Sequence, residues 1–173
     1  MHITGIETRI ITATIDPEIM IISSLGSHRL SRYVLVSIQT DEGITGLGEA
    51  TVMPGWSGEV PEGTCALIER YFLPELVNQS PFDTEKLMRR LDHVVIDNYF
   101  AKAAIEMALL DIQGKKLGVP VYNLIGGACR SSDIPVKFVV SATDPDIAVR
   151  NARRMVDTGF STIKIKVGRG NPD

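Results

Sequence analysis

The sequence lacks the features that mark several classes of protein. It contains only 2 cysteines, and the wide separation of Cys65 and Cys129 indicates unpaired thiols in a reducing cytosol rather than a metal site. Basic residues form no run and the formal net charge is −3, which argues against a nucleic-acid-binding protein. Apolar stretches stay short of transmembrane length, and residues 1–4 do not resemble the start of a signal peptide. We expect a soluble, cytoplasmic protein without membrane or nucleic-acid partners.

What is present is the composition of a globular protein, with 44% hydrophobic and 23% charged residues. Val34, Val36 and Ile38 fall on one face of an extended segment, as in a half-buried strand. Farther along, the apolar period becomes helical, with Asp83 as a candidate N-cap and Pro74 as the expected end of the first helix. The expected elements are strands over 3–15, 32–40 and 44–50, and helices over 64–72, 83–98 and 101–117.

A third pattern begins near Ile134. A strand over 134–141, a helix opened by Asp144 and a strand over 162–167 form a βαβ unit, which implies parallel strands and a right-handed crossover. We therefore predict an α+β domain over 1–130, a three-stranded antiparallel meander with helices. It is followed over 131–173 by the start of an α/β domain that is too short to be complete.

Lys164 and Lys166 are the candidate catalytic residues. They lie two apart on the strand 162–167 and share one face, whereas the isoleucines beside them share the other. Because an apolar strand face packs on helices, the lysine face should look into a barrel interior or a cleft. Lys166 stands just before Gly168, at the carboxyl end of its strand, where α/β barrels build their active sites.

Two interpretations of this lysine pair remain open. In one, Lys164 and Lys166 are solvated residues of an edge strand. In the other, repulsion between the two cations favours the loss of one proton near neutral pH, and one lysine acts as a general base. The apolar alternate face and the preceding βα unit favour the second interpretation.

The long connection over 16–31 is the second candidate feature, because such loops in compact domains are either functional or disordered. Its apolar run is either buried on its own domain or part of a lid, more mobile than the strands, that excludes water from a site. Its histidine is either solvated or faces a ligand, and the tryptophan of the next loop is either a core or interface residue or a ligand contact. The candidate substrate-binding residues are Ile19, Met20, Ile22, His28 and Trp56.

Several short motifs occur in one order along the chain. Each motif is weak alone, but their joint order resembles the enolase superfamily, and most closely its muconate cycloisomerase (muconate-lactonising) and mandelate racemase-like members. The resemblance covers essentially the whole chain. The motifs are Gly48–Ala50, Ala101–Asp111, Gly114–Lys115, Gly118–Pro120, Leu124–Gly127 and Lys164–Gly168.

The resemblance implies a fold and a reaction. The fold is a capping domain over a modified (β/α)8, TIM-like barrel, and the reaction takes a proton from the carbon α to a carboxylate while Mg²⁺ stabilises the enediolate. Lys166 would be the acid/base and Lys164 its electrostatic neighbour, which contacts the substrate carboxylate. The resemblance further implies a small-molecule carboxylate substrate and a homo-oligomer, with residues 16–31 as the specificity lid.

The resemblance also shows a departure from the family pattern. The carboxylate metal ligands and the second acid/base lie on later barrel strands, so we expect them beyond residue 173 and expect this chain alone to be inactive. Muconate cycloisomerisation is the favoured reaction. Dipeptide epimerisation, N-acylamino acid racemisation and acid-sugar dehydration remain alternatives, as does a truncated, non-catalytic assembly module.

Overall fold

The structure follows the apolar periodicity of the sequence. Strands come first along the chain, helices next and a strand–helix–strand unit last. The computed structural model describes residues 1–23, 26–130 and 133–167. Its strands are β1 (Ile3–Thr14), β2 (Ile21–Ser23), β3 (Gly26–His28), β4 (Leu30–Thr40), β5 (Thr45–Ala50), β6 (Lys137–Val140) and β7 (Thr162–Ile165). Its helices are α1 (Pro54–Ser57), α2 (Pro61–Leu67), α3 (Leu73–Leu76), α4 (Thr84–Val94), α5 (Tyr99–Leu117), α6 (Val121–Leu124) and α7 (Pro145–Asp157).

The chain divides into two compact units. Unit 1 comprises Met1–Thr12 and Arg32–Cys129, and unit 2 comprises Ala13–Ser31 and Arg130–Asp173. The connection between β1 and β4 therefore belongs to unit 2, together with the βαβ segment. The domain division at residue 130 inferred from the sequence stays a prediction.

Unit 1 is built on a sheet of three strands in the order β1–β4–β5. The predicted antiparallel sheet is confirmed, and β4 and β5 pair with Val36 opposite Gly48 and Ile38 opposite Gly46. On the buried face of the sheet, β4 therefore carries large side chains and β5 carries glycines. Helix α5 packs against β5. Its inner face belongs to the core, and the fully buried residues are Ala101, Ala104, Ile105, Ala108, Leu109 and Ile112.

Two charged residues of α5 satisfy the outer edge of β5. The Asp111 carboxylate accepts a hydrogen bond from the Leu47 N–H at 2.8 Å, and Lys115 donates to the Thr45 carbonyl at 2.7 Å. Asp111 and Lys115 also pair with each other at 2.6 Å. An edge strand presents unpaired backbone groups, and side chains that bind them keep the edge from pairing with another chain. Asp111 is thus a satisfied structural carboxylate, whereas Glu106 on the same helix is exposed.

A carboxylate from a distant loop caps helix α5. Glu59 is only 8% exposed, and its two oxygens accept hydrogen bonds from the N–H groups of Phe100 at 3.1 Å and Ala101 at 3.2 Å. The residue at the N-cap position, Asn98, has a left-handed φ of 56° and makes no side-chain cap. Glu59 therefore satisfies the first turn in its place, where the helix dipole favours a negative charge.

Replacing Glu59 with alanine should lower the free energy of unfolding by about 2 kcal/mol, because one buried and one partly buried amide of α5 lose a charged acceptor. Urea denaturation of the full chain measures this change. Glu106→Ala is the matched control on the exposed side of the same helix, and it should alter stability by less than about 0.5 kcal/mol. Equal effects of the two substitutions would contradict the capping role.

The expected end of the first helix at Pro74 is wrong. After α2 the chain forms a π-helical turn over Ile68–Phe72 and continues as α3 to Leu76. The Leu73 N–H bonds to the Ile68 carbonyl across the wider turn. Pro74 then lies in the first turn of α3, where the missing N–H of a proline costs least.

The helices predicted over 83–98 and 101–117 both form, but the first ends four residues early and the second begins two residues early. The segment predicted as 83–98 forms α4 from Thr84 to Val94, with Asp83 at the N-cap position. Its side chain makes no cap and instead pairs with Lys86 at 3.0 Å. At the end of α5, Gly118 adopts the left-handed conformation (φ 68°) that closes the helix.

Charges gather at the turn between β4 and β5. The pKa of Asp41 lies below its usual 3.8, chiefly because the His2 backbone N–H donates to its carboxylate. The pKa of Glu42 lies below its usual 4.5, chiefly because Lys116 donates to it and then because of the terminal amine of Met1. Both carboxylates are therefore stabilised in their ionised form by the folded chain.

This cluster predicts an acid-dependent loss of stability. Because the pKa of Glu42 is lowered in the folded state, its contribution is complete above pH 4.5 and is lost as the pH falls through the lowered pKa. Glu42→Gln should therefore lower the Tm at pH 7, and the difference from the wild type should close as the pH drops below 4.5. Thermal unfolding across this pH range measures it, with Glu106→Gln as the control; a difference that does not change with pH would contradict the prediction.

Unit 2 contains the predicted βαβ unit. β6 and β7 pair in parallel, with Val139 opposite Lys164 and Val140 opposite Ile165. α7 connects them, and Asp144 caps it by accepting a hydrogen bond from the Asp146 N–H, with a proline in the first turn. The parallel pairing and the cap are both confirmed. The pairing of β7 with β4, which would have contradicted a barrel, does not occur among the described residues.

Candidate active site

The two candidate catalytic lysines lie at the end of β7. Lys164 is in the strand, and Lys166 continues its pairing because its N–H donates to the Val140 carbonyl at 3.0 Å. Successive residues of a strand point to opposite faces, so Lys164 and Lys166 share one face. Gly168, which the sequence placed next, lies outside the described residues.

The surroundings of the two lysines differ. Lys164 is exposed and Lys166 is half-buried. On the opposite face Ile163 is half-buried, while Ile165 and Val167 are 62% and 86% exposed. The apolar side predicted to pack on helices is therefore covered only at its beginning, and the catalytic roles of the lysines stay predictions.

The described residues of the 16–31 connection include two short paired strands. β2 and β3 pair antiparallel, with Ile21 opposite His28 and Ile22 opposite Ser27. The base of the connection is closed by a hydrogen bond from the Ile15 N–H to the Arg29 carbonyl at 3.1 Å. Ser24 and Leu25, part of the predicted lid, lie outside the described residues.

This hairpin is attached to the βαβ segment of the same unit. The Ser141 hydroxyl accepts a hydrogen bond from the Ile22 N–H at 3.0 Å and donates to the Met20 carbonyl at 2.6 Å. On α7, Asn151 donates to the Glu18 carbonyl at 3.1 Å, and Arg154 pairs with the Glu18 carboxylate. The start of the predicted lid thus lies against the segment that carries the two lysines.

The candidate substrate contacts fall into two groups. Ile19, Met20 and Ile22 are half-buried in unit 2, as is His28, whose ring Nε2 lies 2.7 Å from the Ser31 hydroxyl. Trp56 is 70% exposed and belongs to α1 of unit 1. Unit 2 therefore gathers the lysines and the hairpin residues, whereas Trp56 lies in the other unit. Their contacts with substrate stay predictions.

A comparison with protein families identifies the chain. The family described as "Mandelate racemase / muconate lactonizing enzyme, N-terminal domain" matches residues 6–126. The chain belongs to this family. It is therefore a member of the enolase superfamily, as the motifs indicated, and β5 with α5 carries three of the six motifs.

Relatives of this enolase superfamily member include enzymes of more than one specificity. It is 38% identical to the N-succinyl-L-Arg/Lys racemase of Bacillus cereus, over 84% of this chain and 39% of the racemase. It is 36% identical to muconate cycloisomerase 1 of Acinetobacter baylyi, over 92% of this chain and 43% of that enzyme. The chain thus spans less than half the length of the curated relatives it matches.

Solved structures share the fold. The crystal structure of the Bacillus cereus racemase matches 98% of this chain and 45% of its own chain, with a TM-score of 0.91 at 35% identity. A dipeptide epimerase from Enterococcus faecalis, in complex with Mg and the dipeptide L-Leu-L-Tyr, matches 98% and 47%, with a TM-score of 0.90 at 30% identity. The α+β capping fold followed by the start of an α/β barrel is therefore confirmed.

A magnesium site was tested against the residues of this family member. Within 1–23, 26–130 and 133–167, the structure has no group of three or more histidine, cysteine, aspartate or glutamate side chains placed to hold a metal ion. These residues therefore do not form the carboxylate site that Mg²⁺ requires. The same part of the chain has no helix long and apolar enough to cross a membrane.

Sequence reasoning missed the attachment of the hairpin. Ser141, Asn151 and Arg154 make its contacts, and none of them was singled out. A serine directly after a strand is a weak signal, because its hydroxyl has many possible partners. Ser141 comes two residues after Val139, which pairs with Lys164, and this place in the β6–β7 register could have drawn attention to it.

Proposed function

We propose that the protein containing this chain is an isomerase that removes the proton α to a substrate carboxylate. The observation that carries the proposal is the pair Lys164 and Lys166 on one face at the carboxyl end of β7. It is supported by similarity to cycloisomerases, racemases and epimerases. A lysine base is one of the arrangements found in this superfamily.

The two lysines take different parts in the proposed reaction. Lys166 is the acid/base, since it lies nearer the carboxyl end of the strand and is half-buried. Its partial burial would shield proton transfer with a bound substrate from water. Lys164 is the exposed neighbour on the same face. Its charge attracts the substrate carboxylate to the face that the two lysines share.

The hairpin supplies the apolar wall in this proposal. Ile19, Met20 and Ile22 would cover the substrate and exclude water, so that proton transfer takes place in a site of low polarity. His28 and Trp56 are proposed as further contacts. The predicted higher mobility of the connection is part of the same proposal, because a cover must open to admit substrate.

Mg²⁺ enters the proposal by similarity alone, through the magnesium complex of the related dipeptide epimerase. The described residues do not form its site, so no step is derived through the ion. A cytoplasmic location and a homo-oligomeric state are likewise proposed without a direct observation.

Two reactions compete within this class. Muconate cycloisomerisation is favoured by the motif order and by the similarity to muconate cycloisomerases. Racemisation of an N-succinyl amino acid is favoured by the 38% identity to the Bacillus cereus racemase. Both involve proton transfer at the carbon α to a carboxylate: racemisation begins by removing that proton, and lactonisation ends by adding a proton to the enolate that ring closure forms. The proposed roles of the lysines are therefore shared.

Solvent exchange tests the class and separates the candidates. The protein expressed from its complete reading frame is incubated with Mg²⁺ in D2O with muconolactone, N-succinyl-L-arginine or L-Leu-L-Tyr. We expect deuterium to enter the α-position of one of these compounds, detected by mass spectrometry or NMR. Exchange into N-succinyl-L-arginine alone would overturn the cycloisomerase assignment. The absence of exchange in all three would contradict the proposal and favour a non-catalytic module.

A further inference from the structure

The Ser141 hydroxyl joins two backbone groups of the hairpin to the end of β6. It accepts from the Ile22 N–H at 3.0 Å and donates to the Met20 carbonyl at 2.6 Å. Ser141 is only 9% exposed, so water does not readily replace these bonds. Because one oxygen satisfies both a donor and an acceptor, its removal leaves two partly buried backbone groups unpaired.

The position of Ser141 connects this contact to the lysine face. The parallel register pairs Val139 with Lys164 and Val140 with Ile165, and the Lys166 N–H bonds to the Val140 carbonyl. Continued by one residue, this register places Ser141 beside Lys166. Strand alternation then puts the Ser141 side chain on the same face as both lysines. The backbone of Met20 and Ile22 is therefore held on that face.

The other attachments of the hairpin are weaker. Arg154 and Glu18 have side chains that are 49% and 68% exposed, and ion pairs of this kind contribute little. The bond from Asn151 to the Glu18 carbonyl is also at an exposed position. Ser141 is thus the contact that determines where the apolar residues of β2 lie.

We propose that Ser141 is a positioning residue that holds Met20 and Ile22 over the lysine face, and that it acts through the hairpin rather than on the reacting atoms. The inference rests on the proposed function for the meaning of that face, but the contact itself does not depend on any reaction. Loss of the hydroxyl should therefore loosen the hairpin and weaken substrate binding more than the chemical step.

Hydrogen–deuterium exchange in the full-length protein without substrate tests the contact. In Ser141→Ala, we expect peptides covering residues 19–23 to exchange about 5-fold faster or more, as the loss of one net hydrogen bond predicts. Peptides covering 160–167, which contain the Lys166 N–H bonded to Val140, should keep their rate. Ser141→Thr keeps the hydroxyl and should restore the wild-type rate, whereas Ser161→Ala removes a hydroxyl from an exposed residue before β7 and should change neither peptide.

Steady-state kinetics on the best substrate gives the second readout. Ser141→Ala should raise KM by about 5-fold with kcat within about 2-fold of the wild type. Unchanged exchange at 19–23, or an equal increase in both sets of peptides, would overturn the proposal, because Ser141 would then hold nothing or merely stabilise unit 2. A selective increase at 19–23 in a protein that exchanges no substrate α-proton would uphold the contact and overturn the proposed function instead.

Discussion

Lys166→Ala in the full-length protein is expected to abolish exchange of the substrate α-proton while substrate still binds. Strand alternation and the bond from its N–H to Val140 place Lys166 at the rim of the lysine face. A positioned base contributes about 10²- to 10⁴-fold to proton transfer, and an obligatory base for a carbon acid contributes at least that much. The rate of deuterium incorporation from D2O measures the loss, and a binding titration with the same compound checks that affinity is kept.

Lys164→Ala should behave differently from Lys166→Ala. Without the neighbouring charge, KM should rise because the substrate carboxylate loses an attractive partner. Lys137→Ala is the control, because Lys137 is an exposed residue at the opposite end of β6. Exchange by Lys166→Ala at a near wild-type rate would show that the base is another residue.

The second large effect concerns stability. Gly48→Ala should lower the free energy of unfolding by about 3 kcal/mol, because a β-carbon there would overlap the Ala104 carbonyl, whose carbon lies 2.8 Å away. Its neighbours are backbone atoms of α5, which cannot rotate aside as a flexible side chain can. The helix would have to move off β5 and open the core beneath it. Urea denaturation of the full chain measures the shift in midpoint.

Gly55→Ala is the matched control for Gly48→Ala. A β-carbon at Gly55 would meet nothing within 4 Å, and alanine in a helix is favoured over glycine by up to about 1 kcal/mol. Gly55→Ala should therefore be neutral or slightly stabilising. If Gly48→Ala keeps the wild-type midpoint, α5 does not depend on its close approach to β5.

Elements with strong local signals were predictable. The alternation of Val34, Val36 and Ile38 predicted β4, and the helical apolar period predicted α5. Where two local signals competed, the prediction was wrong. A proline usually ends a helix, but the π turn before Pro74 lets the helix continue, and no residue type announces such a turn.

The site was predictable only in part, for the same reason. The spacing of Lys164 and Lys166 places both on one face of a strand, whatever that strand pairs with. The surface on which the 16–31 connection packs is determined by contacts between residues that are distant in the sequence. The Ser141 hydroxyl bonds to residues more than a hundred positions away, and a hydroxyl carries no sign of its partner in the sequence.

By itself, the sequence determined β1, β4, β5, α4, α5 and the βαβ unit, the superfamily and the common face of the two lysines, but not the β2–β3 hairpin or the short helices α1, α3 and α6. The elements follow from periodicity and capping residues, which act over a few neighbouring residues. The superfamily follows from the order of the motifs, which can be compared directly with the family pattern. Only the tertiary structure decided that Glu59 caps α5, that Gly48 admits the backbone of α5, and that Ser141 holds the hairpin. Each of these depends on groups that meet only when the chain has folded, at distances of a few ångströms that sequence separation does not encode.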